Sequence, residues 1–261
     1  PSGKIFAGYK QKWRSKELHG QIEILRVPLV TDHSTSIVRR MANYLSFALT
    51  SATARRSANN ADVIYVYATQ MTPALGPWIW KKLGGAPYIL HVQDLWPDSI
   101  LESSIVSDSK FGRVIRIALN PWLRNVYKNA GAIIGIAPTM VKTLIRRGAD
   151  IDRASLIYNW ADDSAMNEST DEEKVSKETD ILFAGNIGDM QDLETVVRAA
   201  QLVKDLPIQM NIVSDGVSRQ KIVELVKQLG CTNVKFHGVV PREKMTQIYN
   251  SADYSLVTLR N

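Results

Sequence analysis

The side chains best placed for chemistry lie in Tyr88-Ile-Leu-His-Val-Gln-Asp-Leu-Trp-Pro-Asp98. This stretch starts as an apolar run and ends in a cluster of polar and aromatic groups around Pro97. A continuous apolar run reads as a buried parallel strand, because helices cover both faces of its sheet. In open α/β sheets, ligands sit just beyond the carboxyl ends of the strands. His91, Gln93, Asp94, Trp96 and Asp98 therefore fall where such a fold keeps its chemistry. A strand followed by a capped helix, with Asp94 or Asp98 as N-cap, accounts for the same spacing equally well.

A second candidate is Phe183-Ala-Gly-Asn-Ile-Gly-Asp-Met-Gln-Asp-Leu-Glu194. Here a strand leads through a short glycine loop into a helix. Glycine lets backbone approach a ligand closely, and the helix start offers unpaired N–H groups to an anion. That is a phosphate cradle in outline. It is neither a Walker loop nor the full dinucleotide fingerprint, and turn glycines explain Gly185 and Gly188 as readily. Two further strand ends, Val213-Ser-Asp-Gly216 and His237-Gly-Val-Val240, also carry small or polar residues. A nucleotide lying across strand tips needs that space.

The elements that must hold these groups alternate. Residues 21–30 read as a strand interrupted by Pro28, and Ser36 to Arg56 as a helix with Ile37, Met41, Tyr44, Leu45 and Leu49 on one stripe. Arg39, Arg40, Arg55 and Arg56 flank that stripe, so the helix suits a membrane surface or a sheet face. Strands follow at 61–67, 88–92, 130–137 and 154–158. Helices are expected at 72–82, 111–129 and 138–147, with Pro121 kinking or splitting the second. Residues 161–178 are polar and read as a linker or loop. Beyond them come strands at 180–184, 208–213, 233–237 and 254–259, with helices at 192–204, 219–229 and 242–251. Strand–helix alternation on this scale means βαβ units and parallel sheets.

Composition narrows the classes. The 261 residues are 45% hydrophobic and 22% charged, an ordinary globular balance. One cysteine, Cys231, excludes an internal disulfide. No apolar run approaches the roughly 18 residues of a membrane span. Charge is unevenly divided: residues 1–160 hold 21 basic and 10 acidic side chains, net +11, and residues 161–261 hold 11 and 16, net −5. Such a split suggests two units, the basic one facing an anionic partner. Nucleic acid, a phospholipid surface and a phosphorylated substrate all qualify, although no nucleic-acid motif is present and the basic residues are dispersed. The sequence opens at Pro1 without an initiator methionine, so it is expected to begin inside a longer chain.

Four runs together resemble a known family: His91-Val-Gln-Asp-Leu-Trp-Pro-Asp-Ser99, Tyr158-Asn-Trp-Ala161, Phe183-Ala-Gly-Asn-Ile-Gly188 and Ala252-Asp-Tyr-Ser255. They are similar to bacterial family-four retaining glycosyltransferases of the O-antigen, capsule and colanic-acid branch, most of all the WbuB-like transferases of N-acetylfucosamine. The resemblance implies the GT-B fold, two α/β Rossmann-like domains facing across a cleft: 1–160 on the acceptor side, 179–261 holding the nucleotide sugar. It implies transfer from a nucleotide-diphosphate donor, UDP-linked, to a lipid-linked saccharide in surface polysaccharide synthesis. It further implies a cytoplasmic enzyme, peripheral on an anionic membrane, with neither metal nor cofactor. A nucleotide-sugar 2-epimerase on the same fold and a non-catalytic truncated transferase are the alternatives.

Roles carry over by position. Asp94 would orient or deprotonate the acceptor, with His91 secondary. Gln93, Trp96 and Lys4 would line the acceptor side. Gly185, Asn186 and Gly188 would approach the diphosphate, and Asp215, Gly216, Gly238 and Val239 would bound the nucleoside. Where the family pattern has an Arg and a Lys on the diphosphate, this sequence has Asn186 and about Gln191, leaving Arg219 or a residue elsewhere to substitute. Where relatives carry a His, Gln93 stands, which cannot accept a proton. The family's first strand with its glycine loop, and its paired glutamates beyond the last strand, are absent. Both domains are therefore expected to be partial, and the isolated polypeptide to transfer weakly or not at all.

Overall fold

The computed structural model describes residues 12–31, 37–99, 110–160 and 178–260. Residues 161–177 of the linker expected at 161–178, and Lys4, lie outside the described residues. The chain divides into two compact units, Pro1–Asn159 and Trp160–Asn261.

The first unit is built on a four-stranded parallel sheet in the order β3-β4-β5-β6: β3 Ile64–Ala68, β4 Tyr88–Val92, β5 Ala132–Gly135 and β6 Ala154–Leu156. On β3 only Val66 and Ala68 are buried, while Tyr65 and Tyr67 face outward. β4 lies between β3 and β5 and is apolar on nearly every residue, as a covered inner strand requires. Its Tyr88, Leu90 and Val92 join one core cluster with Met71, Ala74, Leu123, Val126 and Tyr127. The helices supplying that cover are α1 (Ile37–Ala52), α3 (Leu75–Lys82), α4 (Lys110–Asn129) and α5 (Pro138–Arg146), while the short α2 (Arg55–Ala58) buries no residue. α1 turns Met41, Tyr44 and Ala48 toward the core but leaves Leu45 and Leu49 exposed.

Three local features differ from the sequence-based expectations. An antiparallel hairpin, β1 (Ser15–His19) with β2 (Ile22–Arg26), stands where a single strand over 21–30 was expected. β1 escaped notice because Ser-Lys-Glu-Leu-His has no apolar alternation; Lys16–Glu23 and Arg26–Glu17 ion pairs cross the ladder instead. α4 runs unbroken through Pro121 rather than splitting. Pro121 and Ile117, one turn earlier, both sit on the exposed side, where water can replace the lost backbone bond. Leu123, Val126 and Tyr127 hold the following turns in the core. The last strand is short: β10 covers only Tyr254–Ser255, and beyond it the chain bonds β7 once more through Leu256 before following the loop after β7.

The second unit carries a parallel sheet in the order β10-β7-β8-β9, with β7 Thr179–Ala184, β8 Ile208–Val213 and β9 Val234–Gly238. Helix α6 (Leu193–Leu202) buries Leu193, Val196, Val197 and Ala200, and α7 (Arg219–Gln228) buries Ile222, against Phe183, Met210 and Ile212. α8 (Arg242–Ser251) precedes β10.

Tyr88 ties the first sheet to α4. Its ring is fully buried and its hydroxyl donates to the Val126 carbonyl at 2.6 Å. Burial without a charged partner pushes the phenol pKa well above its ordinary value. Replacing Tyr88 with Phe removes one buried hydrogen bond while keeping the ring, so the expected loss is about 1 kcal/mol, read as a lower unfolding midpoint in urea with unchanged slope.

Candidate functional site

At the tip of β4, His91 and Gln93 point to the same face by strand alternation, and both are buried. His91 Nδ1 shares a hydrogen bond with the Tyr65 hydroxyl. Its ring meets the rings of Tyr65 and Tyr67 edge-on, with centroids 5.8 and 5.5 Å away. Desolvation lowers the His91 pKa, so the ring stays neutral in the fold. In the tautomer where Nδ1 accepts from Tyr65, the proton sits on Nε2, which has no partner among the described residues. Gln93 extends the ladder by donating its N–H to the Ala68 carbonyl at 2.9 Å. Its Oε1 accepts from Asn159 Nδ2 at 3.0 Å, and its own Nε2 is also unpartnered. One strand end thus holds two buried groups that can donate to an oxygen-rich ligand.

Asp94 is the next residue out and is exposed, yet partial desolvation raises its carboxyl pKa above the usual value. A carboxylate tuned upward is a better proton acceptor once ionised. Trp96 and Asp98 take structural places. Trp96 is buried in the core and meets Tyr44 edge-on at 5.6 Å, so it is turned inward rather than lining an open surface. Arg147, at the end of α5, donates to the Trp96 carbonyl at 2.8 Å and forms an ion pair with Asp98. That clamp fixes the backbone on the far side of Asp94. Asn159, Tyr65 and Arg147 were not singled out from sequence. Asn159 falls in the Tyr158-Asn-Trp-Ala161 run, and the other two carry no local signal.

In the second unit the tips of β7, β8 and β9 come together. Ile187 donates its N–H to the Asp215 carbonyl at 3.0 Å, and Ser218 N–H donates back to the Ile187 carbonyl at 3.0 Å. The Gly185 N–H bonds the Val213 carbonyl at 3.2 Å, and the Ser214 N–H bonds the Gly238 carbonyl at 2.7 Å. Gly216 sits where a Cβ would lie 2.3 Å from the Ile187 carbonyl oxygen, so only glycine fits this crossing. Gly185 has room, and Gly188 lies under the side-chain ends of Asn186 and Gln191. Ser214 holds φ at 125°, and Asp192, just before α6, holds φ at 44°. Non-glycine residues in such conformations are costly and concentrate at functional sites. Asn186, Asp215 and Val239 are exposed on this rim, and Gly238 turns the chain with φ of 70°. Arg219 is directed at the Phe236 ring, 5.8 Å from its centroid.

The structure therefore groups the sequence-derived residues into two sets. His91, Gln93 and Asp94 share the β4 tip. Gly185, Asn186, Gly188, Asp215, Gly216 and Gly238 share the second sheet's tips. Among the described residues, no three His, Cys, Asp or Glu side chains converge into a metal-binding group.

Comparison with known proteins gives a consistent picture. Residues 5–160 match the family described as Glycosyl transferase 4-like domain, and residues 166–261 match Glycosyl transferases group 1. The chain is 26% identical over 257 residues to a putative colanic acid biosynthesis glycosyl transferase, WcaI, of Escherichia coli (strain K12). That alignment covers 94% of this chain and 63% of the relative. It is 22% identical over 183 residues to the probable glycosyltransferase WbjE of Pseudomonas aeruginosa, covering 67% of this chain and 45% of that protein. In fold it is similar to Anabaena Alr3699/HepE, solved in complex with UDP and glucose, with a TM-score of 0.57 at 16% identity. That match covers 89% of this chain and 61% of the solved one. The likeness shows the α/β fold with parallel sheets of GT-B glycosyltransferases; the chain spans less than two thirds of each of these proteins.

Two outcomes follow from this geometry. Gly216→Ala forces backbone apart at the β7–β8 crossing, so it should cost about 2 kcal/mol or more, seen as a depressed melting temperature. For His91 the sign is fixed by its lowered pKa. Below the unfolded value near 6.5, the unfolded chain binds the extra proton and the folded one resists it, so stability falls as pH drops through that range. His91→Gln should flatten the dependence of melting temperature on pH between about 7 and 5; an unchanged slope would mean the ring protonates freely in the fold.

Proposed function

The chain belongs to the glycosyl transferase 4-like domain family, and from that premise we propose that it moves a sugar from a nucleotide-diphosphate donor, UDP-linked, onto a hydroxyl of a lipid-linked saccharide. The observation carrying this reading is the joined backbone at the tips of β7, β8 and β9, where Gly216 crosses Ile187 with no room for a side chain. A nucleotide laid across parallel strand tips needs such a low, pre-set floor. The second unit takes the donor and the first takes the acceptor. Both curated relatives are named as glycosyltransferases, which favours transfer over epimerisation.

In the reaction the acceptor oxygen forms a bond to the anomeric carbon. The bond from that carbon to the phosphate oxygen breaks, and the nucleoside diphosphate leaves with the electron pair. The sugar passes through an oxocarbenium-like state and keeps its anomeric configuration. Asp94 orients the acceptor hydroxyl and takes up its proton, and its raised pKa suits that task. Gln93 Nε2 and the His91 ring offer hydrogen bonds to sugar oxygens. Charge building on the departing diphosphate calls for preorganised donors or cations beside the loop after β7.

The finer reading is a retaining transferase of an N-acetylaminosugar in O-antigen or capsule synthesis, working at the cytoplasmic face of the membrane. The run from His91 to Ser99 supports that branch. The net charge of +11 over residues 1–160 favours an anionic lipid surface. Val114 and Ile117 are exposed on α4, along with the basic Arg124 and Lys128, the arrangement of a helix that rests on lipid. No helix among the described residues is long and apolar enough to cross a membrane.

A panel of nucleotide sugars scored by thermal shift on the full-length protein identifies the donor, since a ligand at 100 times its dissociation constant adds about 2.7 kcal/mol. Asp94→Asn should keep that shift while transfer to acceptor falls by about a hundredfold or more. Loss of both would remove Asp94 from the acceptor role, and absence of any shift across the panel would sink the donor reading.

A further inference from the structure

A diphosphate at the loop after β7 meets an unfavourable local charge. Residues 185–192, Gly-Asn-Ile-Gly-Asp-Met-Gln-Asp, contain two carboxylates and no cation. The nearby basic groups are mostly engaged. Lys221 is 2.5 Å from Glu194, and Arg219 is directed at Phe236. Arg260 is placed differently. After β10 the chain runs alongside β7 and its loop, bonded at three successive alternate residues. The Leu256 N–H donates to the Leu182 carbonyl at 2.7 Å, the Thr258 hydroxyl to the Gln191 carbonyl at 2.5 Å, and the Arg260 N–H to the Met190 carbonyl at 2.7 Å. Arg260 is thereby anchored by its backbone at the rim of the loop.

Its side chain is only loosely committed. Arg260 Nη2 lies 3.4 Å from Asp192 Oδ1, and the arginine side chain is 52% exposed. An ion pair that long and that wet contributes little to stability. Asp192 does not depend on it, because its other oxygen accepts from the Thr195 hydroxyl at 2.8 Å. The guanidinium can therefore leave Asp192 without orphaning a charge. Its planar fork suits two oxygens of a phosphate group.

We propose that Arg260 is the diphosphate-binding cation of the donor site, held at the loop by the Leu256–Arg260 suture and kept in waiting by Asp192. The proposal rests on the nucleotide-sugar reading above. When the donor binds, the guanidinium exchanges the Asp192 carboxylate for phosphate oxygens and offsets the two loop carboxylates. Asp192 acts as a competitor that weakens anion binding until a diphosphate is present.

The test compares UDP with uridine on the full-length protein by calorimetry. Wild type should bind UDP more tightly than uridine. Arg260→Gln should weaken UDP about tenfold, the size of one charge-assisted contact, and leave uridine unchanged; Arg260→Lys should recover part of the loss. Asp192→Asn frees the guanidinium, and asparagine tolerates the left-handed backbone there, so UDP should bind more tightly. A protein that binds neither ligand overturns the nucleotide-sugar reading and this assignment together. A wild-type preference for UDP that Arg260→Gln retains in full overturns the assignment alone. So does an Asp192→Asn variant whose UDP affinity is unchanged or weaker.

Discussion

The second unit depends on one backbone crossing. Ile187 and the Asp215–Ser218 loop exchange two hydrogen bonds across a gap that admits no Cβ at Gly216. The crossing locks the loop after β7 to the loop after β8, and the Ser214–Gly238 bond carries the lock on to β9. Three loops that would otherwise move separately become one surface. Fixed dipoles cost nothing to reorganise when charge develops near them, which suits such a floor to the donor site proposed for it. The unusual φ values at Ser214 and Asp192 are sustained because the neighbouring bonds leave the chain no other course.

The first unit solves a different problem. β4 must be apolar to sit inside a covered sheet, yet end in polar groups. The change occurs within three residues. Val92 is wholly buried, Gln93 is buried but hydrogen-bonded on one side only, and Asp94 is exposed. His91, inside the strand, is tolerated because Tyr65 satisfies one ring nitrogen. Arg147 holds the outgoing chain through the Trp96 carbonyl and the Asp98 carboxylate. The buried donors left over on Gln93 and His91 are the kind of deficit that a bound oxygen-rich ligand removes.

Charge is divided unevenly between the two halves of the chain. The excess of basic residues over 1–160 would suit the proposed lipid-linked acceptor at an anionic surface, and the acidic excess over 161–261 would leave the proposed donor site few cations of its own. Scarcity gives each one weight. A guanidinium tied only loosely to Asp192 contributes little to the resting fold and is free for the diphosphate role proposed for it.

Much of this was written into the sequence. The apolar run at 88–92 and its abrupt polar end fixed the inner strand and located His91, Gln93 and Asp94, because burial on both faces permits only one kind of composition. The strand–glycine–helix rhythm located the loops at 185, 215 and 238 for similar reasons. The hairpin at 15–26 was half missed, since an exposed ladder held by ion pairs leaves no hydrophobic period. Pro121 suggested a kink or a split, and the packing of Leu123, Val126 and Tyr127 keeps the helix from splitting. What only the tertiary structure decided were the pairings between distant positions: Asn159 with Gln93, Arg147 with Trp96 and Asp98, Gly216 against Ile187, and Arg260 beside Asp192. Spacing along a chain encodes the local period of a helix or strand; it carries no term for which side chains, dozens of residues apart, the finished sheets bring together.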